Sequence, residues 1–147
     1  MCEDSQHDVD EGLEVLAYPK VMFDGIGVSE ASSGPTRDKS FSFAIAVIRL
    51  YKRLQEMNEY VISKQLLRSG TSIGANVEEA LAASSRRDFL HRMTIASKEA
   101  RESVYWLKLL DESDLVSDLA VNNELESARE LVRLLTAIVK TTKESTP

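Results

Sequence analysis

The stretch SRRDFLHRMTIASKEARESVYWLKLL, residues 85–110, decides the fold. Within it Phe89, Met93, Ala96, Ala100, Ser103, Leu107 and Leu110 recur at alternating spacings of four and three. That repeat lays a single seam along a helix that packs against other helices. Ser84 or Ser85 is the expected start, because Ser85 is followed three residues later by Asp88, an acidic relative of the capping box. Acid in the first turn also suits the positive end of the helix dipole. The connection at 83–86 is so short that the preceding helix must be an antiparallel neighbour.

That neighbour is expected over 61–83, with Leu66, Gly70, Ile73, Val77, Ala80 and Ser84 as its seam. Its middle, Ser69-Gly70-Thr71-Ser72-Ile73-Gly74-Ala75, is poor in helix formers, and each glycine costs about 1 kcal/mol relative to alanine. Small residues on a seam let two helix backbones approach closely, a packing reason to keep the helix intact; a kink is the alternative. The close approach is expected between Gly70 and Gly74 on this helix and Ala96 and Ala100 on the next.

Two outer helices complete the pattern. The first is expected from an N-cap at Ser40, with Phe43, Val47, Leu50 and Leu54 as one stripe and Phe41, Ala44, Ile48 and Tyr51 as a second. Glu56-Met57-Asn58-Glu59 is the expected turn, without glycine or proline. The last helix starts at Asn122 or Asn123, with Leu125, Ala128, Val132, Leu135 and Val139 as seam and Leu131, Leu134 and Ile138 beside it. Between helices three and four, Leu115, Val116 and Leu119 are expected to lie against the end of the bundle. The fold class is all-α: an antiparallel up-and-down four-helix bundle over 38–147 with a poorly ordered N-terminal extension over 1–37. The first and last helices carry more apolar surface than one seam consumes, which points to self-association, with a thick monomeric core as the alternative.

The extension holds Gly12, Gly25, Gly27, Gly34, Pro19 and Pro35, and eight acids against two bases. Residues 38–110 carry twelve bases against eight acids, and 111–147 are acidic by four, for a net charge of −6. A pI near 5.0 argues against indiscriminate adhesion to nucleic acid, which requires Lys and Arg to neutralise phosphates. No run is apolar enough to span a membrane, and the start lacks a signal-peptide pattern, so a cytoplasmic location is expected with no membrane partner. Cys2, the single cysteine, excludes an internal disulfide and a cysteine-rich zinc site.

Catalytic chemistry finds little to work with. Cys2, His7 and His91 supply no Cys–His or Ser–His arrangement, and no Glu-x-x-His pair exists for a di-metal bundle. The glycine-containing run at 69–74 lacks the strand before it and the Gly-Lys-Ser/Thr ending of a phosphate loop. The expectation is a non-enzyme with no catalytic residue, cofactor or metal. Ser72, Asn76 and Glu79 share one face of the second helix, one turn beyond Arg68. With Glu99 they are candidates for a small polar pocket. Alternatively they fix register, Ser72 and Asn76 bonding across to the third helix and Glu79 meeting Lys98 or Arg101. Arg86, Arg87 and Arg92, with Lys64 and Arg68, form the densest basic cluster, several of them expected near the same end of helices two and three. Arg68, Arg86, Arg87 and Arg92 are a candidate nucleic-acid-binding patch for backbone contact without base reading, or else belong to a solvated helix end with salt bridges to Glu78 and Asp88. Trp106, beside the seam, suits a subunit or inter-helix groove.

The runs at 65–80, 85–89 and 95–107 together resemble the bacterial four-helix-bundle proteins encoded in intervening sequences of large ribosomal RNA genes, over residues 41–143. The resemblance implies an up-and-down bundle assembled into a homopentameric ring. It also implies kinship with the accessory variability determinant of diversity-generating retroelements, which partners a reverse transcriptase and nucleic acid through a positive surface. The leading expectation is a homo-oligomeric scaffold or interaction module with a protein or nucleic-acid partner. The alternative is a nucleic-acid-binding accessory protein acting through the arginine patch.

Overall fold

The computed structural model describes residues 30–116 and 119–144, with side chains from residue 34 onward. Four helices run in chain order: α1 (Glu30–Glu56), α2 (Ile62–Leu81), α3 (Arg86–Glu112) and α4 (Asn122–Glu144). Among the described residues there is no strand. Each helix packs on the next, α4 returns to α1, and the diagonal pairs α1/α3 and α2/α4 do not approach. Short connections make consecutive helices antiparallel, so this is the expected up-and-down four-helix bundle.

All seven seam residues of α3 are buried, from Phe89 to Leu110. They meet Leu50 and Leu54 of α1, Leu66 and Ile73 of α2, and Leu131 and Leu135 of α4 in one continuous core. Burying each such side chain contributes about 1.5–3 kcal/mol relative to leaving it in water. Val116, Leu119 and Val121 close the end of the core, as expected of the α3–α4 connection, whereas Leu115 is exposed.

Ser85 caps α3 as expected, its hydroxyl accepting from the Asp88 N–H at 3.1 Å. The start of α1 differs from expectation. The helix begins at Glu30, runs through Gly34 and Pro35, and carries Ser40 in its interior. There the Ser40 hydroxyl donates to the Arg37 carbonyl at 2.8 Å, a local bond that a serine can make mid-helix as readily as it caps one. Thr36 and Ser40 are buried, so packing overrides the breakers. The extension expected over 1–37 therefore overlaps α1 in its last residues, and its ordering over 1–29 lies outside the described residues.

The α1–α2 turn is built by two side chains. Asn58 takes a left-handed conformation, φ 61°, standing in for the glycine that usually follows a helix. The Glu59 N–H then reaches Leu54 O at 2.9 Å and the Asn58 N–H reaches Gln55 O at 3.0 Å, the paired bonds of a Schellman ending. Glu59, nearly buried, turns its carboxylate onto the start of α2. It accepts from the N–H groups of Val61 (3.0 Å), Ile62 (2.8 Å) and Ser63 (2.7 Å), donors that a helix start leaves without partners. Burial pushes this carboxyl up, but the three N–H donors outweigh it and hold Glu59 below the ordinary carboxylate range.

Two seam assignments change. A Cβ on Gly70 would lie 2.9 Å from Val47 Cγ2, and one on Gly74 would lie 3.6 Å from Ser40 O. Both glycines therefore face α1, and the expected approach to Ala96 and Ala100 of α3 is not the one they serve. On α4, Leu131 and Ile138 belong to the core while Val132 and Val139 are only half-buried at its edge. Adjacent stripes on a helix are separated by so small an angle that spacing alone does not choose between them.

Candidate functional site

Three cross-links define the register of α2 against α3: Arg68 pairs with Glu102, the Ser69 and Ser103 hydroxyls bond at 2.9 Å, and Glu79 pairs with Arg92 at 2.5 Å. In this antiparallel register Ser72 stands level with Glu99 and Asn76 level with Ile95. The candidate polar residues Ser72, Asn76, Glu79 and Glu99 thus share one strip on the outer side of the α2–α3 pair, bounded at either end by an ion pair. They do not bond as the register reading expected. Asn76 Nδ2 donates to Ser72 O (2.9 Å) and Ser72 Oγ (3.1 Å), both within α2. Glu79 meets Arg92 and not Lys98 or Arg101. The hydroxyls that cross between the helices are Ser69 and Ser103, fully buried one turn away.

Glu99 is the unbalanced member of the strip. Its Oε2 is buried and has no hydrogen-bond partner among the described residues. Burial pushes its carboxyl above the ordinary range, the charge of Glu102 adds to the effect, and Arg68 offsets part of it. Glu102 is better served, accepting from Arg68 and from Trp106 Nε1 at 3.1 Å. Trp106 thereby lies half-buried against the core, with Tyr105 edge-on at a centroid distance of 4.9 Å.

The four candidate arginines divide between two places. Arg86, Arg87 and Arg92 lie in the first two turns of α3, whereas Arg68 sits beside Glu102, ten residues and about 15 Å further along that helix. Arg86 donates to the Thr142 carbonyl at 2.5 Å and so ties α3 to the end of α4. Arg92 is held by Glu79 and, more loosely, by Asp88 at 3.9 Å. Arg87 is exposed beside Ser85, Asp88 and His91. Among the described residues no three His, Cys, Asp or Glu side chains gather as a metal site would require, and no helix is long and apolar enough to cross a membrane.

Two further surfaces lie outside the candidate residues, the first expected from the wide apolar face of α1 and the second not. On α1, Phe41 and Ile48 of the second apolar stripe remain 67% and 37% exposed, with Ala44 and Tyr51 half-buried between and beside them. Across the outer α3–α4 face, Arg101, Arg129 and Arg133 rim a groove of about 400 Å³ floored by Val104 and Val132. The sequence signal for that groove was weak, because bases flanking two seams become neighbours only once the register of α3 and α4 is known.

A solved protein of unknown function from the S23 ribosomal protein family of Bacteroides thetaiotaomicron is 44% identical to this chain, with a TM-score of 0.70. The match covers 74% of this chain and 98% of the solved one. No curated protein is significantly similar. Residues 36–137 match the model of the 23S rRNA-intervening sequence protein family, and the chain belongs to that family.

Proposed function

We propose that the protein is a non-catalytic assembly module, a four-helix bundle that works by associating with copies of itself. The observation that carries this reading is the α1 stripe of Phe41, Ala44, Ile48 and Tyr51, which none of the other described helices covers. Apolar side chains in a continuous row on a helix are the usual mark of a protein interface. A closed ring of five copies is the assembly that the family resemblance implies, and a head-to-tail contact repeated by rotation closes such a ring. A protein or nucleic-acid partner would then bind the assembled form.

The alternative, nucleic-acid binding through Arg68, Arg86, Arg87 and Arg92, has less support from the geometry. Arg68 and Arg92 are held by carboxylates and Arg86 by a carbonyl, which leaves Arg87 as the member most open to a phosphate.

Mass measurement by light scattering tests the assembly reading. A multiple of the 16.4 kDa chain mass is expected for the wild type. The Phe41→Ser/Ile48→Ser variant is expected to dissociate with unchanged far-ultraviolet circular dichroism. A wild type that stays monomeric at high micromolar concentration would sink the proposal.

A further inference from the structure

The outer α3–α4 face is positive in a chain whose net charge is −6. Arg101 and Lys108 on α3, with Arg129, Arg133 and Lys140 on α4, lie along it at helical spacing. Three acids offset them: Glu112 near Lys108 at 3.7 Å, Glu126 on Arg129 at 2.5 Å and Glu144 near Lys140 at 3.8 Å. Arg101 bonds only the Thr136 hydroxyl, at 3.0 Å, and Arg133 has no ion pair among the described residues. Both flank the groove floored by Val104 and Val132. Such a groove suits a ligand that interleaves carboxylates with apolar side chains.

The chain itself contains one. Residues 8–16, Asp8-Val9-Asp10-Glu11-Gly12-Leu13-Glu14-Val15-Leu16, carry four acids, no base and four large apolar side chains. We infer that the groove between α3 and α4 is the docking site of residues 8–16, their carboxylates on Arg101, Arg129 and Arg133 and their apolar side chains on Val104 and Val132. The reach is sufficient. Lys39 of α1 pairs with Glu130 of α4 at 3.0 Å, so the start of α1 lies within about 15 Å, along the bundle axis, of the level of the groove. Residues 17–29 extend to about 40 Å, enough to pass α4 and reach it. Docking covers this basic face, and any acidic partner of it must first displace the segment.

Cys2, the only cysteine, permits a direct test on the full chain. With a nitroxide attached there, paramagnetic broadening is expected to fall most strongly on the Val104 and Val132 methyl signals. It should disappear in Arg101→Gln/Arg133→Gln, in Asp8→Asn/Asp10→Asn/Glu11→Gln/Glu14→Gln, and at high salt, which screens exposed charges. Unchanged circular dichroism verifies that the groove variant is folded, and the segment variant leaves the bundle untouched. Broadening centred on Arg87 and His91 or on Phe41 and Ile48, or spread evenly, would overturn the inference. So would a drop in assembly mass on substituting Arg101 and Arg133 with the broadening intact, which would give the groove to a second copy.

Discussion

Toward α1, helix α2 presents Gly70, where a Cβ would intrude to 2.9 Å from Val47 Cγ2, whereas toward α3 it presents Ser69, whose hydroxyl meets Ser103 at 2.9 Å. Both are small residues in one helix turn, and both are buried. The first is small so that a β-branched side chain can sit against bare backbone. The second is small so that a hydroxyl can reach its counterpart across the contact, each hydroxyl also bonding a carbonyl of its own helix, Leu66 O at 3.3 Å and Glu99 O at 3.0 Å. Arg68 with Glu102 and Glu79 with Arg92 extend the polar side of the comparison, and Glu59 with Asn58 closes the other side at the α1–α2 turn. Polar pairs cross on both sides of α2, Arg37 with Glu78 and Gln55 with Ser63 toward α1, so what sets the α1 side apart is the close approach at Gly70. The lesson is that a run such as Ser69-Gly70-Thr71-Ser72 serves two neighbours at once.

The largest expected effect breaks the shape side. Gly70→Leu should destabilise the bundle by about 3 kcal/mol in denaturant unfolding, because Val47 is fully buried, stiff at χ1 and has nowhere to move. Val47→Ala should recover part of that loss, which a double-mutant cycle would register as coupling. Gly74→Ala makes the opposite case. Its Cβ meets Ser40 O at an ordinary 3.6 Å, so the gain in helix propensity should stabilise by up to about 1 kcal/mol. If the two glycines respond alike, close approach to α1 is not what sets Gly70.

Glu59→Ala removes the acceptor of three N–H groups and should cost about 1–2 kcal/mol, in the range of a lost helix cap. Because its folded-state pKa lies below the ordinary value, the stabilisation from Glu59 is present above the unfolded-state pKa. It is lost as pH falls through the lower folded one. The difference between wild type and variant should therefore shrink in acid, and a difference that stays constant with pH would exclude the carboxylate as cap.

On the polar side, Ser69→Ala should cost about 1 kcal/mol, with the Ser69→Ala/Ser103→Ala double variant costing less than the sum of the two single changes. Strict additivity would show that the hydroxyls do not act as a pair.

The smallest effect belongs to Glu99. Its carboxyl is raised, so the folded state prefers it protonated, and the penalty of its charge grows as pH rises past the unfolded-state pKa. Glu99→Gln should stabilise by a fraction of a kcal/mol at neutral pH and by nothing in acid, measured as the shift in the denaturant midpoint. Destabilisation at neutral pH would mean that the charge of Glu99 is wanted by Arg68.

Local signals were read correctly where one helix carries the whole message. The four-three repeat of α3 and the Ser85 cap need only the neighbours in sequence, and both stand in the structure. Asn58 and Glu59 were read only as a polar turn, since the left-handed residue and the carboxylate cap are chosen by how α2 leaves α1. Pro35 and Gly34 counted as breakers, yet burial of Thr36 against the bundle carries the helix through them.

The candidate site was harder to read for the same reason. Ser72, Asn76, Glu79 and Glu99 do fall on one strip, because helical spacing places the first three and the antiparallel register brings the fourth beside them. Arg68 parts company with Arg86, Arg87 and Arg92, since closeness in composition says nothing about which end of a helix a base occupies.

The sequence by itself determined four amphipathic helices, their antiparallel order and most of the core, because hydrophobic periodicity and short connections are properties of the chain one segment at a time. Only the tertiary structure decided which neighbour each small residue faces, which arginines stand together and which apolar stripe is left uncovered. Those choices depend on the rotation and register of whole helices against one another, and shifts of a few ångströms between helices exchange one partner for the next.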